Sequence, residues 1–405
     1  MFRGLQARTS RPARVSRRWI AGIAAGSTLL LAACTGGYSP NDLMSTFSTP
    51  QPAAPGTTIG AGQVKVGLIL PLSASGNAGV AAQSMRNAAE MALAEFNSPN
   101  IQLLVKDDGG SASGAQQAAQ QVLAEGAEII IGPLFAQSVT PVGQVARSRG
   151  VPVIAFSTDA NVATRGVYLL SFLPETDVER IIGHAAGQGK KSFAAALPDN
   201  AYGTVVEAAF KQAVARRSGQ VVALERYPLD RGQIQAAVRN VAQAASRADS
   251  IFIPDGADSV STVVGALAAN GVDPKRVQLL GSGLWEDPQI FSNSALDGAW
   301  YAAPDSTGFR NFSGRFRARY NQDPVRTATL AYDAVALVAA LTKTQGPQRF
   351  SEEVLTNASG FTGIDGLFRF RPDGTNQRGL AVLRVGPSGG QVISPSPKSF
   401  GASGI

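Results

Sequence analysis

Cys34 is the single cysteine of this 405-residue chain and His184 its single histidine, and those two counts narrow the chemistry at once. A lone thiol cannot close an internal disulfide, and one His with one Cys cannot build a His/Cys zinc cluster. His184 is predicted on the helix that follows Pro174, with no nucleophile assigned beside it. One G-x-S-x-G match exists, Gly386-Pro387-Ser388-Gly389-Gly390, but it follows the last predicted strand, whereas a nucleophile elbow needs a strand, a sharp turn and a helix. Gly281-Ser282-Gly283 lacks the third glycine and the acidic partner of a dinucleotide site, and no Walker loop is present. The inventory therefore favours binding over catalysis, with no cofactor and no metal expected.

The position of Cys34 suggests a different use for the thiol. Six arginines (Arg3, Arg8, Arg11, Arg14, Arg17, Arg18) precede Trp19 without an acid among them, and an uncharged run from Trp19 to Leu31 leads into Leu31-Ala32-Ala33-Cys34. An apolar run this short falls below the about 20 residues a spanning helix needs, so residues 1–33 read as a secretory signal. The chain carries 36 Lys+Arg against 29 Asp+Glu, a formal +7. Without residues 1–33, and so without those six arginines, it would be +1, which gives no electrostatic reason to expect nucleic acid. Hydrophobic residues at 44% and charged residues at 16% exclude a disordered polyelectrolyte. Residues 34–62, rich in Gly, Pro, Ser, Thr and Ala, are expected to form a disordered tether, and 394–405, opening on Ser394-Pro395-Ser396-Pro397, a flexible tail. The folded body is then 63–393.

Within that body, short β-branched runs alternate with amphipathic segments. Val64–Leu70 reads as a buried parallel strand. Met85, Ala88, Ala89, Ala92 and Phe96 line one helix face. A strand at Ile101–Lys106, a helix burying Ala115, Ala118, Ala119, Val122 and Leu123, a strand at Ala127–Ile131, a helix at Val139–Arg149 and a strand at Val151–Ala155 continue the pattern. Right-handed crossovers make this a doubly wound sheet. The βα rhythm restarts after Phe172-Leu173-Pro174, which predicts a second α/β lobe. Helices at Phe309–Tyr320 and Thr327–Thr344 follow. A hairpin of Gly366–Phe370 with Leu380–Val385 is expected around Asp373-Gly374.

Several stretches together resemble the type I periplasmic binding proteins, specifically the leucine/isoleucine/valine-binding branch. They are Val64 through Ser73, Lys106-Asp107-Asp108-Gly109-Gly110, Ile131-Gly132-Pro133 through Ser138, Pro198-Asp199-Asn200-Ala201-Tyr202-Gly203, Leu330-Ala331-Tyr332-Asp333-Ala334 and Phe361-Thr362-Gly363-Ile364-Asp365-Gly366. The residues before Cys34 similarly resemble the lipobox of bacterial lipoproteins, which implies a diacylated cysteine and a periplasmic chain anchored to an envelope membrane. Thr35 in place of aspartate points to the outer one. The family resemblance implies two lobes joined by three crossings, lobe 1 at about 63–172 and 302–360 and lobe 2 at about 173–301 and 361–393. It also implies a small polar, amino-acid-like ligand in the cleft between them and an ABC permease as partner.

Loops at the carboxyl ends of parallel strands form the crevices where such sheets bind ligands, and the candidate residues lie there. Ser73 and Ser75 are on the first loop. Ser138, expected to lead into its helix, either caps it or joins the helix N–H groups in holding a carboxylate. The resemblance places Ser157 and Asp159 with Ser138 in the carboxylate-binding loops, and Tyr202 as an aromatic closing over the ligand, although hinge packing is its equal alternative. Amino-acid binders of this family usually carry an acid for the ligand ammonium where this chain has Gly281-Ser282-Gly283. Trp285, Glu286, Asp287 and, from another loop, Asp255 are the nearest substitutes, and each of the acids could instead cap a helix or face solvent. That departure, with Leu284-Trp285-Glu286-Asp287-Pro288, is also similar to chains associated with lipoprotein activators of penicillin-binding proteins. A penicillin-binding protein is therefore the alternative partner.

Overall fold

The computed structural model describes residues 57–97, 99–228 and 230–400. The predicted signal, Cys34 and the tether as far as residue 56 lie outside the described residues. The first lobe runs β1 (Thr58–Ile59), β2 (Val64–Leu70), α1 (Gly76–Glu95), β3 (Ile101–Asp107), α2 (Ala112–Ala124), β4 (Ile129–Ile131), α3 (Ala136–Arg147), β5 (Val153–Ala155) and β6 (Val167–Leu169). Its sheet has the order β1-β3-β2-β4-β5-β6, parallel apart from the antiparallel edge pairing of β1 with β3. Thr58–Ile59 was expected within the tether and instead begins this sheet.

The near-continuous apolar run of β2 requires cover on both faces. Val66, Leu68 and Leu70 point to one side, where they meet Met85, Ala89 and Ala92 of α1. Ile69 points to the other, into the layer of Ala115, Ala119, Val139 and Val142 from α2 and α3.

The second lobe follows with α4 (Pro174–Gly187), β7 (Ser192–Pro198), α5 (Ala201–Arg216), β8 (Gln220–Tyr227), α6 (Arg231–Ala244), β9 (Ser250–Phe252), α7 (Ala257–Ala269), β10 (Gln278–Gly281), α8 (Pro288–Phe291) and β11 (Trp300–Ala303). The chain then returns to the first lobe as α9 (Ser306–Tyr320), α10 (Ala328–Thr344), α11 (Glu352–Leu355), β12 (Phe361–Gly363), β13 (Gly366–Phe370) and β14 (Asn376–Arg378), and ends in the second as β15 (Ala381–Gly386) and β16 (Gly389–Ser394). The second sheet has the order β16-β15-β11-β10-β9-β7-β8. Leu330, Ala334 and Val338 of α10 complete the first core against α1, so the first lobe is assembled from two separate stretches of chain.

The third crossing lies at Gly379–Leu380 rather than near Gly360. Residues 361–378, expected in lobe 2, form a three-stranded sheet whose Phe368 and Phe370 are buried in the first core, with Phe370 5.4 Å from the Tyr168 ring. The partner of Gly366–Phe370 is Asn376–Arg378, not Leu380–Val385. The turn at Asp373-Gly374 closes tightly enough for three residues to finish the hairpin, and Ala381–Gly386 is free to pair with β11. Gly374 has φ 88°, and a Cβ there would meet the Val167 carbonyl oxygen at 2.2 Å, so this turn can only dock on β6 with glycine.

Residues 394–400, expected as a loose tail, are docked: Arg180 donates to the Ser394 and Pro395 carbonyls, and the Phe400 ring lies 4.6 Å from the Arg369 guanidinium. The Gly386–Gly390 match lies not beyond the last strand but in the turn between β15 and β16, so a strand and not a helix follows Ser388, and the expectation that it forms no elbow stands.

Candidate functional site

Each sheet contains a point where the chain reverses its winding direction. In lobe 1, β2 lies between β3 and β4, and in lobe 2, β7 lies between β8 and β9. Open α/β sheets bind ligands outside the carboxyl ends of strands at such points. Here the loops involved are 71–75 and 132–135 in one lobe, and 199–202 and 254–257 in the other.

On the lobe 2 side polar side chains pair with one another behind these loops, with Tyr227 and Ser282 buried. Asn200 accepts from the Gly203 N–H at 2.8 Å and caps α5, which places Tyr202 in the helix's first turn. The Tyr202 hydroxyl donates to Ser282 Oγ at 3.4 Å. Asp255 accepts from the Tyr227 hydroxyl at 2.7 Å and from the Gly256 N–H at 2.7 Å. Burial, with the charges of Asp177 and Asp255, raises the Tyr202 hydroxyl above its ordinary range, so it remains a donor. Asp177 of α4 accepts from the Gly283 N–H at 2.9 Å. This places a carboxylate beside the position where the sequence lacks an acid.

The partly exposed Asp177 has its pKa pushed up to about 7. Burial is the main cause and the Glu175 charge adds to it, against the Gly283 N–H and the charge of Arg378. Sequence reasoning missed Asp177 because 106 residues separate it from Gly283 and no local spacing connects them.

On the lobe 1 side Ser73 and Ser75 are exposed. The Ser73 N–H donates to Asp107 at 3.2 Å. Burial acts to raise the Asp107 carboxyl, but hydrogen bonds from Ser73 and the Gly109 N–H outweigh it and hold the group below its ordinary value. Ser157 is buried and accepts from the Asp159 N–H at 3.1 Å, while Asp159 caps the short helical turn at Ala160–Val162. Ser138 departs from expectation. The helix begins at Ala136, so Ser138 lies inside its first turn, fully buried, with Oγ turned toward the Ser111 carbonyl. Phe135 holds the cap position and makes no side-chain cap, which leaves first-turn N–H groups for an outside acceptor.

The remaining two candidates separate. Trp285 is fully buried in the lobe 2 core, its ring against Gly281 and its Nε1–H donated to the Ile253 carbonyl at 3.0 Å. It is a packing residue, because α8 and the strands behind it bury the whole indole. Glu286 is exposed and accepts from the Tyr301 hydroxyl at 2.5 Å. It borders an interlobe cavity of about 550 Å³ with Gly283 and Ala303 of lobe 2 and Phe309, Arg310 and Arg326 of lobe 1.

Arg326 and Arg378 flank the Phe172 ring at the first crossing, each 4.7 Å from its centre. Arg326 also pairs with Asp365 at 2.6 and 2.9 Å. Among the described residues no group of three or more His, Cys, Asp or Glu is placed to hold a metal ion, and no helix is long and apolar enough to cross a membrane.

This arrangement of lobes, crossings and cleft recurs in known proteins. A family model described as periplasmic binding protein matches residues 63–391. A solved structure from Rhodospirillum rubrum, a candidate branched-chain amino acid ABC transporter, superposes with a TM-score of 0.73 at 20% identity, covering 82% of this chain and 99% of that one. A branched chain amino acid ABC transporter periplasmic ligand-binding protein from Burkholderia xenovorans gives 0.67 at 19% identity, covering 84% and 97%. At these identities the likeness is one of fold. An uncharacterized protein of Rickettsia prowazekii is 21% identical over 178 residues, 42% of this chain and 48% of the relative, so the match spans about half of that relative's length.

Proposed function

This chain belongs to the periplasmic binding protein family, and from that premise we propose that it binds a small polar solute, an amino acid or a close relative, between its lobes and delivers it to an ABC permease. The observation that carries the reading is Asp177 beside Gly283, a carboxylate supplied from α4 where Gly281-Ser282-Gly283 carries none. With Asp255 and the hydroxyls of Tyr202, Tyr227 and Ser282 it forms a polar cluster suited to an ammonium group. The uncapped start of α3 offers N–H groups to a carboxylate across the cleft.

A thermal-shift screen of amino acids, amides and peptidoglycan fragments tests this, since a ligand at 100 times its dissociation constant adds about 2.7 kcal/mol of stability. For the compound that binds, Asp177→Asn and Asp255→Asn should each weaken affinity about tenfold or more by isothermal titration, the loss of one charge-assisted contact. If no compound binds while the chain captures a purified penicillin-binding protein, the solute reading fails and the activator reading replaces it.

The same protein is held to an envelope membrane, the outer one in a Gram-negative cell, through diacylated Cys34 after removal of residues 1–33. Cys34→Ser should abolish incorporation of radioactive palmitate and release the chain to the soluble fraction, because the acyl chains supply the membrane affinity. Equal labelling of both forms would remove the anchor from this picture.

A further inference from the structure

We propose that the hinge carries a second binding site, distinct from the cleft loops, for a small polyanion bearing two or more carboxylate or phosphate groups. Residues of α4, α5, the β13–β14 hairpin and the docked segment 394–400 enclose a cavity of about 1020 Å³. Five arginines line it, Arg180, Arg216 and Arg217 from lobe 2 and Arg371 and Arg378 from lobe 1, against two acids, Glu175 and Glu179.

The acids are already committed or withdrawn. Glu179 is shared between Arg216 and Arg217, the latter at 2.7 Å. Glu175 is pushed toward its neutral form by burial, with the Asp159 charge adding to it.

The other three arginines have no hydrogen-bonded carboxylate among the described residues. Arg180 donates only to neutral oxygens, the carbonyls of Leu380, Ser394 and Pro395 and the Ser394 hydroxyl. Arg371 reaches Thr375 Oγ1 and the Asn376 carbonyl at a long 3.5 Å each. Arg378 is only 4% exposed. Its Nε donates to the Ser171 carbonyl at 2.9 Å, but Nη1 and Nη2 have no acceptor among the described residues.

Asp365, Asp333 and Asp177 act on Arg378 through charge without a hydrogen bond to those nitrogens. A buried guanidinium with empty donors is costly and calls for an acceptor, and fork-shaped N–H pairs match carboxylate and phosphate oxygens. Because the arginines come from both lobes, an occupant ties the lobes together next to the first and third crossings.

The test titrates the purified full-length chain with citrate and with inorganic pyrophosphate at ionic strength held constant by sodium chloride. At least one should bind saturably by isothermal titration and raise the melting temperature. Arg216→Gln combined with Arg371→Gln, both exposed positions, should weaken that binding about tenfold or more. Asp255→Asn, on the cleft loops of lobe 2, should leave it unchanged. Binding of citrate alone identifies a carboxylate ligand, and of pyrophosphate alone a phosphate ligand. The site is overturned by the absence of saturable binding to either, by an equal effect of chloride, by an unaltered affinity in the double variant, or by loss of binding in Asp255→Asn.

Discussion

Trp285→Ala should destabilise the protein by about 3–5 kcal/mol, the range for removing a buried large aromatic. The indole is fully buried, and its ring occupies the space a Cβ on Gly281 would need, with the nearest ring atom 2.1 Å from that position. Removing it opens a cavity and also leaves the Ile253 carbonyl without the Nε1–H it accepts at 3.0 Å, an additional penalty. The adjacent Leu284 is 49% exposed, so Leu284→Ala should stay within about 0.5 kcal/mol of the parent. Urea denaturation of both variants reads the difference directly. A Trp285→Ala protein with an unchanged midpoint and lost solute affinity would return Trp285 to the ligand site.

The burial of Asp177 and Asp333 should cost the folded state stability as pH rises from about 4 to about 7. Asp177 and Asp333 both have their carboxyls pushed up to about 7. Burial is the first cause in each. The charge of Glu175 adds to it for Asp177 and that of Asp365 for Asp333, while Arg378 opposes both. Below about pH 4 these groups are protonated in folded and unfolded chains alike and cost nothing. Between about 4 and 7 the unfolded chain releases protons that the folded chain retains, so the folded state loses ground through that window.

Asp333 is 4% exposed, with Oδ1 accepting the Ile364 N–H at 2.8 Å and Oδ2 without a partner. It contributes on the order of 3 kcal/mol of the loss. Asp177 contributes in the same direction. Asp333→Asn should match the parent near pH 4 and exceed it at pH 8 in denaturant titrations. A parent whose stability is flat between those values, or a variant that follows its slope, would contradict the assignment.

The same two residues mark the limit of what was legible. Asp333 lies in a recognisable stretch, Leu330 to Ala334, and its helix is evident from apolar spacing. Its burial against the Ile364 backbone N–H could not be read, because 31 positions separate the two. Tyr202 and Asp255 could be placed on switch-point loops because those loops follow from strand order, and strand order follows from the βα rhythm. Ser138 and Trp285 were misplaced because one helix begins three residues earlier than expected and because an aromatic in a loop carries no sign of which way it points.

By itself the sequence determined the two α/β lobes, since periodicity is a local property that neighbouring residues already express. Only the tertiary structure decided that Asp177 accepts from the Gly283 N–H, that residues 361–378 cover the first core, and that arginines from both lobes converge at the hinge. Those are contacts between segments up to roughly 200 residues apart, and they are selected by which buried faces and unpaired charges remain to be satisfied once the sheets have formed.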